Sequence, residues 1–303
     1  MESDLERRGP RIPWRAGVIG LSVLAGLACG DNATGPEGDG ELGEWLRSNG
    51  VVRTYELRIP DSYVQGQPTP VLLAFHGNPG TGEGFESYTG LTPYAMDAGF
   101  ITVYPDGIQG TWGIEAVLLV HDLILHLADS LSVDKDRVYV TGFSAGGSIT
   151  QLIACALPDE VAAAVVVGAT IEKEISDACL SSRLIPIMLV HGTDDPVFPW
   201  DGAIFGNVIR FSMEATLNRW KVLNQCQGDP VVDTLPDLVD DGTRVWSESW
   251  TDCGGSAEIL FYGVENGRHT WPSGTSSFPP GYMTREISGQ EIVDFLGRHT
   301  LGG

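Results

Sequence analysis

The chain has 303 residues and a formal net charge of −22 at pH 7, from 18 Lys plus Arg set against 40 Asp plus Glu. That balance excludes a nucleic-acid partner, because phosphate recognition needs a basic footprint that releases counterions, and it disfavours an anionic bilayer face. At 42% hydrophobic residues the sequence falls among globular chains, and its length allows one large or two small domains.

Residues 1–28 read as an export signal. Arg7, Arg8, Arg11 and Arg15 precede an apolar run from Ala16 to Ala28. Such a run is shorter than the roughly 20 apolar residues that span a bilayer. Cys29 follows a small residue as in a lipoprotein signal, so lipidation and plain secretion both stay open. Residues 29–50 are expected to be a flexible tether, because Gly30 to Gly43 is rich in Gly, Asp and Glu and holds almost nothing apolar. The folded domain is then expected at 51–303.

In that domain, Val52 to Ile59 alternates as a half-buried strand does, and Pro60 ends it. The later runs are continuous and apolar: Val71 to Phe75, Ile101 to Tyr104, Val138 to Val140, Ala163 to Val167, Ile185 to Val190 and Ile259 to Tyr262. Runs of this kind suit parallel strands covered on both faces. Helical patterns fall between them at Glu115 to Leu131, Ser148 to Leu157 and Ile204 to Leu223, and a last helix covers Ser288 to Arg298. The alternation predicts an α/β fold with a mostly parallel central sheet flanked by helices, in a single domain.

Gly142-Phe143-Ser144-Ala145-Gly146 matches GxSxG. With 39 Gly in the chain the pentapeptide is weak by itself, but a strand enters it and an apolar helix leaves it, as a nucleophile elbow of the α/β-hydrolase type requires. Ser144 is therefore the candidate nucleophile. A serine needs a base. Of the six histidines, only His269 stands in a loop after a late strand, consistent with the chain order Ser, acid, His. The acid belongs after the strand that ends in His191-Gly192-Thr193-Asp194-Asp195, where the two aspartates compete. The oxyanion hole needs two backbone donors: the Ala145 amide at the helix start and one from His76-Gly77-Asn78-Pro79, where Asn78 is the best placed because Pro79 has no N–H.

Setting Cys29 aside leaves Cys155, Cys179, Cys226 and Cys253, an even set in a chain bound for an oxidising compartment. Pairing Cys155 with Cys179 and Cys226 with Cys253 closes the shortest loops. No metal-ligand spacing is present, and neither a metal nor a cofactor is expected.

Taken together, Phe75-His76-Gly77, Tyr104-Pro105-Asp106-Gly107 with Trp112, the Arg137 to Gly147 block, His191 to Val197, Asp241-Gly242-Thr243 and His269-Thr270-Trp271-Pro272 resemble the secreted esterases known as polyhydroxybutyrate depolymerases and feruloyl esterases. The resemblance covers about residues 50–300 and implies an α/β-hydrolase fold and a Ser-His-Asp serine esterase. It selects Asp195 over Asp194 as the acid and supports the two cysteine pairs. Two departures from the family pattern are expected to border the site mouth: the stretch after Trp112 is short, and Arg268 interrupts a segment that is commonly all glycine. Trp112, Phe143, Trp200 and Trp271, with Phe198, lie in loops beside the candidate residues and are expected to wall a flat acyl group. No polymer-binding module is read after the domain, so soluble feruloyl or aryl esters are expected before solid polyester. The alternatives kept are a polyhydroxybutyrate depolymerase, a peptidase and a non-catalytic binding lipoprotein on the same fold. The expected partner is the ester substrate alone, met by a monomer outside the cell or at its envelope.

Overall fold

In the computed structural model, the described residues are 44–179, 183–274 and 283–302. The expected signal segment, Cys29 and most of the expected tether lie outside them. The described part begins with a hairpin of β1 (Trp45–Ser48) and β2 (Val51–Arg58), so the last residues of the expected tether are strand. Leu46 and Ser48 are buried while Arg47 between them is exposed, an alternation too short to stand out beside the acidic run before it.

The chain continues through β3 (Thr69–Phe75), α1 (Gly82–Thr89), α2 (Thr92–Asp97), β4 (Ile101–Pro105), α3 (Glu115–Ser130), β5 (Val133–Phe143), α4 (Ala145–Ala156) and β6 (Ala163–Val167). It then passes through α5 (Lys173–Ala178), β7 (Ile187–Gly192), β8 (Ala203–Phe205), β9 (Val208–Arg210), α6 (Met213–Leu223), β10 (Val231–Thr234), β11 (Arg244–Trp250), β12 (Ile259–Glu265) and α7 (Gly289–Gly297). Among the described residues, a 10-stranded sheet runs in the order β1-β2-β4-β3-β5-β6-β7-β12-β11-β10. The six strands from β4 to β12 are parallel neighbours, and the outer strands on both sides are antiparallel. This is the mostly parallel, helix-flanked sheet that the apolar runs imply.

Pleating divides the core. Val71, Leu73 and Phe75 of β3 face a cluster with Leu119 and Leu123 of α3 and Ile149 and Ile153 of α4, while Leu72 and Ala74 face Ala95 of α2 and Ile292 and Phe295 of α7. Both faces of the central strands are dry, which is why their sequences run apolar without alternation. Two disulfides, Cys155–Cys179 and Cys226–Cys253, join the expected partners.

One expected helix is corrected. The segment from Ile204 does not start a helix: β8 and β9 form a separate antiparallel hairpin, and the helix begins at Met213. The Ser212 hydroxyl caps it by accepting the Ala215 N–H, and Gly206 at φ 59° turns the hairpin.

Candidate active site

Ser144 is the single residue between β5 and α4, with φ 57° and ψ −123°. A non-glycine residue at such dihedrals is strained, and the surrounding contacts hold it there. A Cβ on Gly142 would lie 2.3 Å from the Gly146 carbonyl oxygen, so the elbow closes only with glycine at both places. The turn lifts the Ser144 hydroxyl to the carboxyl end of the parallel strands, where the other loops converge.

His269 follows β12, and Asp195 follows β7. The Ser144 Oγ lies 2.9 Å from His269 Nε2, and His269 Nδ1 lies 2.7 Å from Asp195 Oδ2. Asp195 is buried, and its Oδ1 accepts the Val197 and Phe198 N–H groups, each at 2.8 Å. An ionised carboxylate can only accept, so Nδ1–H donates to it and Nε2 is left to accept the serine proton. Asp194 takes no part: its carboxylate accepts the Thr193 hydroxyl, and its N–H donates to the Gly267 carbonyl. The imidazole of His269 lies 4.7 Å from the Phe143 ring and 5.8 Å from the Phe198 ring, the latter nearly parallel at 15°.

Ala145 opens α4, where a helix N–H has no acceptor within the helix. The opposite wall is the loop Gly77-Asn78, close enough that a Cβ on Gly77 would stand 3.2 Å from Ser144 Cβ. His76 braces this loop from below. Its Nε2 accepts the Gly107 N–H at 2.9 Å, so its Nδ1 carries the proton and donates to the Gly77 carbonyl at 2.7 Å. Burial lowers the His76 pKa below its usual value, which keeps the imidazole in this neutral form. The loop carrying Gly107 is itself fixed: buried Arg53 donates to the Asp106 carbonyl, and the Asp106 carboxylate accepts Gly82 N–H and the Thr54 hydroxyl. The sequence marks His76 only as a histidine before Gly at a strand end, and no spacing signal points to Arg53.

Ser144 and His269 open on a cavity of about 1020 Å³ lined by Asn78, Phe85, Tyr88, Gln109 and Phe143, among others. Of the five expected wall residues, Phe143 faces it and the other four do not. Trp112 packs edge-on to Phe75 and donates Nε1–H to the His76 carbonyl at 2.7 Å, behind the loop rather than in the cavity. Trp200 lies against His191, Trp246 and Phe261, and Trp271 is buried edge-on to Phe85. Large rings beside a site gain more from burial in the core than from facing solvent-filled space, so loop position did not reveal their direction. Phe198 is likewise buried under His269. The aromatic wall consists instead of Phe143, Tyr88 and Phe85, with the Tyr88 and Phe143 rings 5.8 Å apart. Tyr88 and Phe85 come from α1, a helix with too few apolar residues to show a pattern in the sequence.

Among the described residues, no group of three or more His, Cys, Asp or Glu is placed to hold a metal ion, and no helix is long and apolar enough to cross a membrane.

Residues 111–214 match the Phospholipase/Carboxylesterase family. The chain has the α/β-hydrolase fold. It is 26% identical over 231 residues to feruloyl esterase B of Piromyces equi, a match covering 70% of this chain and 42% of that protein. It is 30% identical over 161 residues to feruloyl esterase C of Emericella nidulans, covering 50% of this chain and 58% of that one. The chain thus spans about half the length of these relatives. Among solved structures, the acetyl xylan esterase from Aspergillus awamori superposes with a TM-score of 0.58 at 16% identity, over 81% of this chain and 94% of that one.

Proposed function

We propose that this α/β hydrolase is a serine esterase that cleaves carboxylic esters of aryl or hydroxycinnamoyl acids through an acyl-enzyme. The observation that carries the reading is the hydrogen-bonded line Ser144 Oγ, His269 Nε2, His269 Nδ1, Asp195 Oδ2, opening on an aromatic-walled cavity. Ser144 Oγ attacks the ester carbonyl carbon while His269 Nε2 takes its proton, and Asp195 stabilises the imidazolium. The carbonyl oxygen becomes an oxyanion that accepts from the Ala145 and Asn78 N–H groups. The carbonyl re-forms, the C–O bond to the alcohol breaks, and His269 returns the proton to the departing alcohol. Water then attacks the acyl-serine with His269 again as base, releasing the acid and free Ser144. These steps need no group beyond the chain and water.

The names of the relatives support an ester substrate, and the rings of Phe143, Tyr88 and Phe85 suit a planar acyl group. Export through residues 1–28 belongs to the same reading, supported by two disulfides of the kind that persist in oxidising compartments. Attachment of lipid at Cys29 is its finer form, checked by radiolabelled palmitate incorporation in the chain and in Cys29→Ser.

The test is turnover of p-nitrophenyl acetate, methyl ferulate, a dipeptide amide and polyhydroxybutyrate granules by the protein and by Ser144→Ala. Hydrolysis of both small esters, lost in Ser144→Ala, is expected. Clearing of granules without release of ferulate would make it a polyester depolymerase, and turnover of the amide alone would make it a peptidase. Inertness towards all four would leave a binding protein.

A further inference from the structure

We propose that Arg210 is a positioning residue for the acid and base of the site, acting through the two residues that hold Asp195. The inference rests on the reading of Ser144, His269 and Asp195 as a catalytic triad. Arg210 ends β9, outside the cavity lining, and its side chain is one-fifth exposed. Its guanidinium carbon sits 3.7 Å from the centroid of the Phe198 ring and 5.0 Å from that of Phe205, within range for cation–π attraction. Its Nη1 donates to the Val197 carbonyl at 2.7 Å. Val197 and Phe198 are the residues whose N–H groups donate to Asp195 Oδ1, and Phe198 also stacks on His269. One planar cation thus holds the Val197–Phe198 peptide, whose N–H helps to aim the carboxylate, and the ring that backs the imidazole.

The grip is tied to the nucleophile as well. Arg210 Nε lies 3.4 Å from Glu172 Oε1, and the backbones of the two residues form a β-bridge. The same carboxylate oxygen accepts the Ser148 hydroxyl at 3.5 Å, and the Ser148 N–H donates to the Ser144 carbonyl at 3.0 Å. The contacts therefore close a ring from Ser144 through Ser148, Glu172, Arg210, Val197 with Phe198, Asp195 and His269 back to Ser144. A ring of this kind fixes the spacing between the helix that carries the nucleophile and the loop that carries the acid. Catalysis is sensitive to such spacing: misplacement by about 1 Å can cost about a hundredfold. A lysine would keep the charge but lose the planar stack and the fork of donors.

Arg210→Met, Arg210→Lys and Glu172→Gln provide the test, read by kcat and KM on p-nitrophenyl acetate, by thermal melting, and by the low-field proton resonance of His269 Nδ1–H. For Arg210→Met we expect kcat to fall about tenfold with KM within about twofold of the parent, because the side chain touches His269 only through its neighbours. The resonance is expected to broaden or move upfield, with Arg210→Lys and Glu172→Gln changed in the same direction by less. Parental kcat and resonance in folded Arg210→Met would overturn the proposal. Should Arg210→Met not fold, parental values in both milder variants would do the same. A parent inactive on every ester would sink the esterase reading, yet the resonance would still report whether Arg210 fixes the Asp195–His269 bond.

Discussion

Gly146 and Phe75 cross so closely that a Cβ on Gly146 would lie 2.1 Å from the Phe75 carbonyl oxygen. Since that oxygen belongs to the central strand β3, it cannot retreat without moving the sheet. Gly146→Ala is therefore expected to destabilise the fold by about 3 kcal/mol, the upper end of the usual range for overpacking. Urea denaturation checks it; a midpoint within error of the parent would mean that the elbow can relax.

Asp194 and Asp195 are neighbours with different surroundings. Asp195→Asn leaves a side chain that can present its N–H₂ to His269 and force the wrong tautomer, a change worth about 10⁴-fold in kcat at sites of this kind. Asp194→Asn keeps the turn and is expected to stay within about twofold, since exposed polar substitutions away from a network cost little. Steady-state kinetics on p-nitrophenyl acetate measures both, and equal losses would remove Asp195 from its role.

His76 and His191 have pKa values lowered from 6.5, in each case chiefly by burial. Unfolded, both would titrate near 6.5 and bind protons that the folded protein refuses. Stability is therefore complete above that pH and declines as pH falls from 6.5 towards the folded pKa values, by up to about 1.4 kcal/mol per histidine per pH unit. Unfolding free energies from urea curves between about pH 7.5 and about pH 5.5 are expected to show this fall. A flat profile would mean that both histidines titrate normally in the fold.

Tyr88 lines the cavity beside Phe143. Removing the ring in Tyr88→Val is expected to lower kcat/KM for methyl ferulate about tenfold while changing p-nitrophenyl acetate about twofold, in line with one lost aromatic contact of about 1 kcal/mol plus its buried area. Equal effects on the two esters would place the acyl group elsewhere.

The features legible in the sequence are those where one physical cause dominates. The strands β3 to β7 and β12 show as unbroken apolar runs because helices cover both their faces, and Ser144, His269 and the Asp194-Asp195 pair are marked by the loops that follow such strands. The edge is harder: β10 is exposed at every residue, so burial leaves no pattern in Val231–Thr234. Likewise Ile204, Phe205 and Val208 resemble the start of a helix until the hairpin is seen, although Ser212 with Glu214 behind it was the true start signal. The direction of a side chain in a loop is set by contacts far away in the chain. Trp112 turns to the His76 carbonyl and Trp200 to Trp246 and Phe261, and neither partner is local.

The most direct test of Ser144 as the nucleophile is to trap the acyl-enzyme. The protein is mixed with excess p-nitrophenyl acetate, quenched in acid during turnover, and mapped by peptide mass spectrometry. A burst of p-nitrophenol equal to the enzyme concentration with one acetyl group on Ser144, absent from Ser144→Ala, is the expected result. Turnover with Ser144 unmodified, or undiminished in Ser144→Ala, would contradict it.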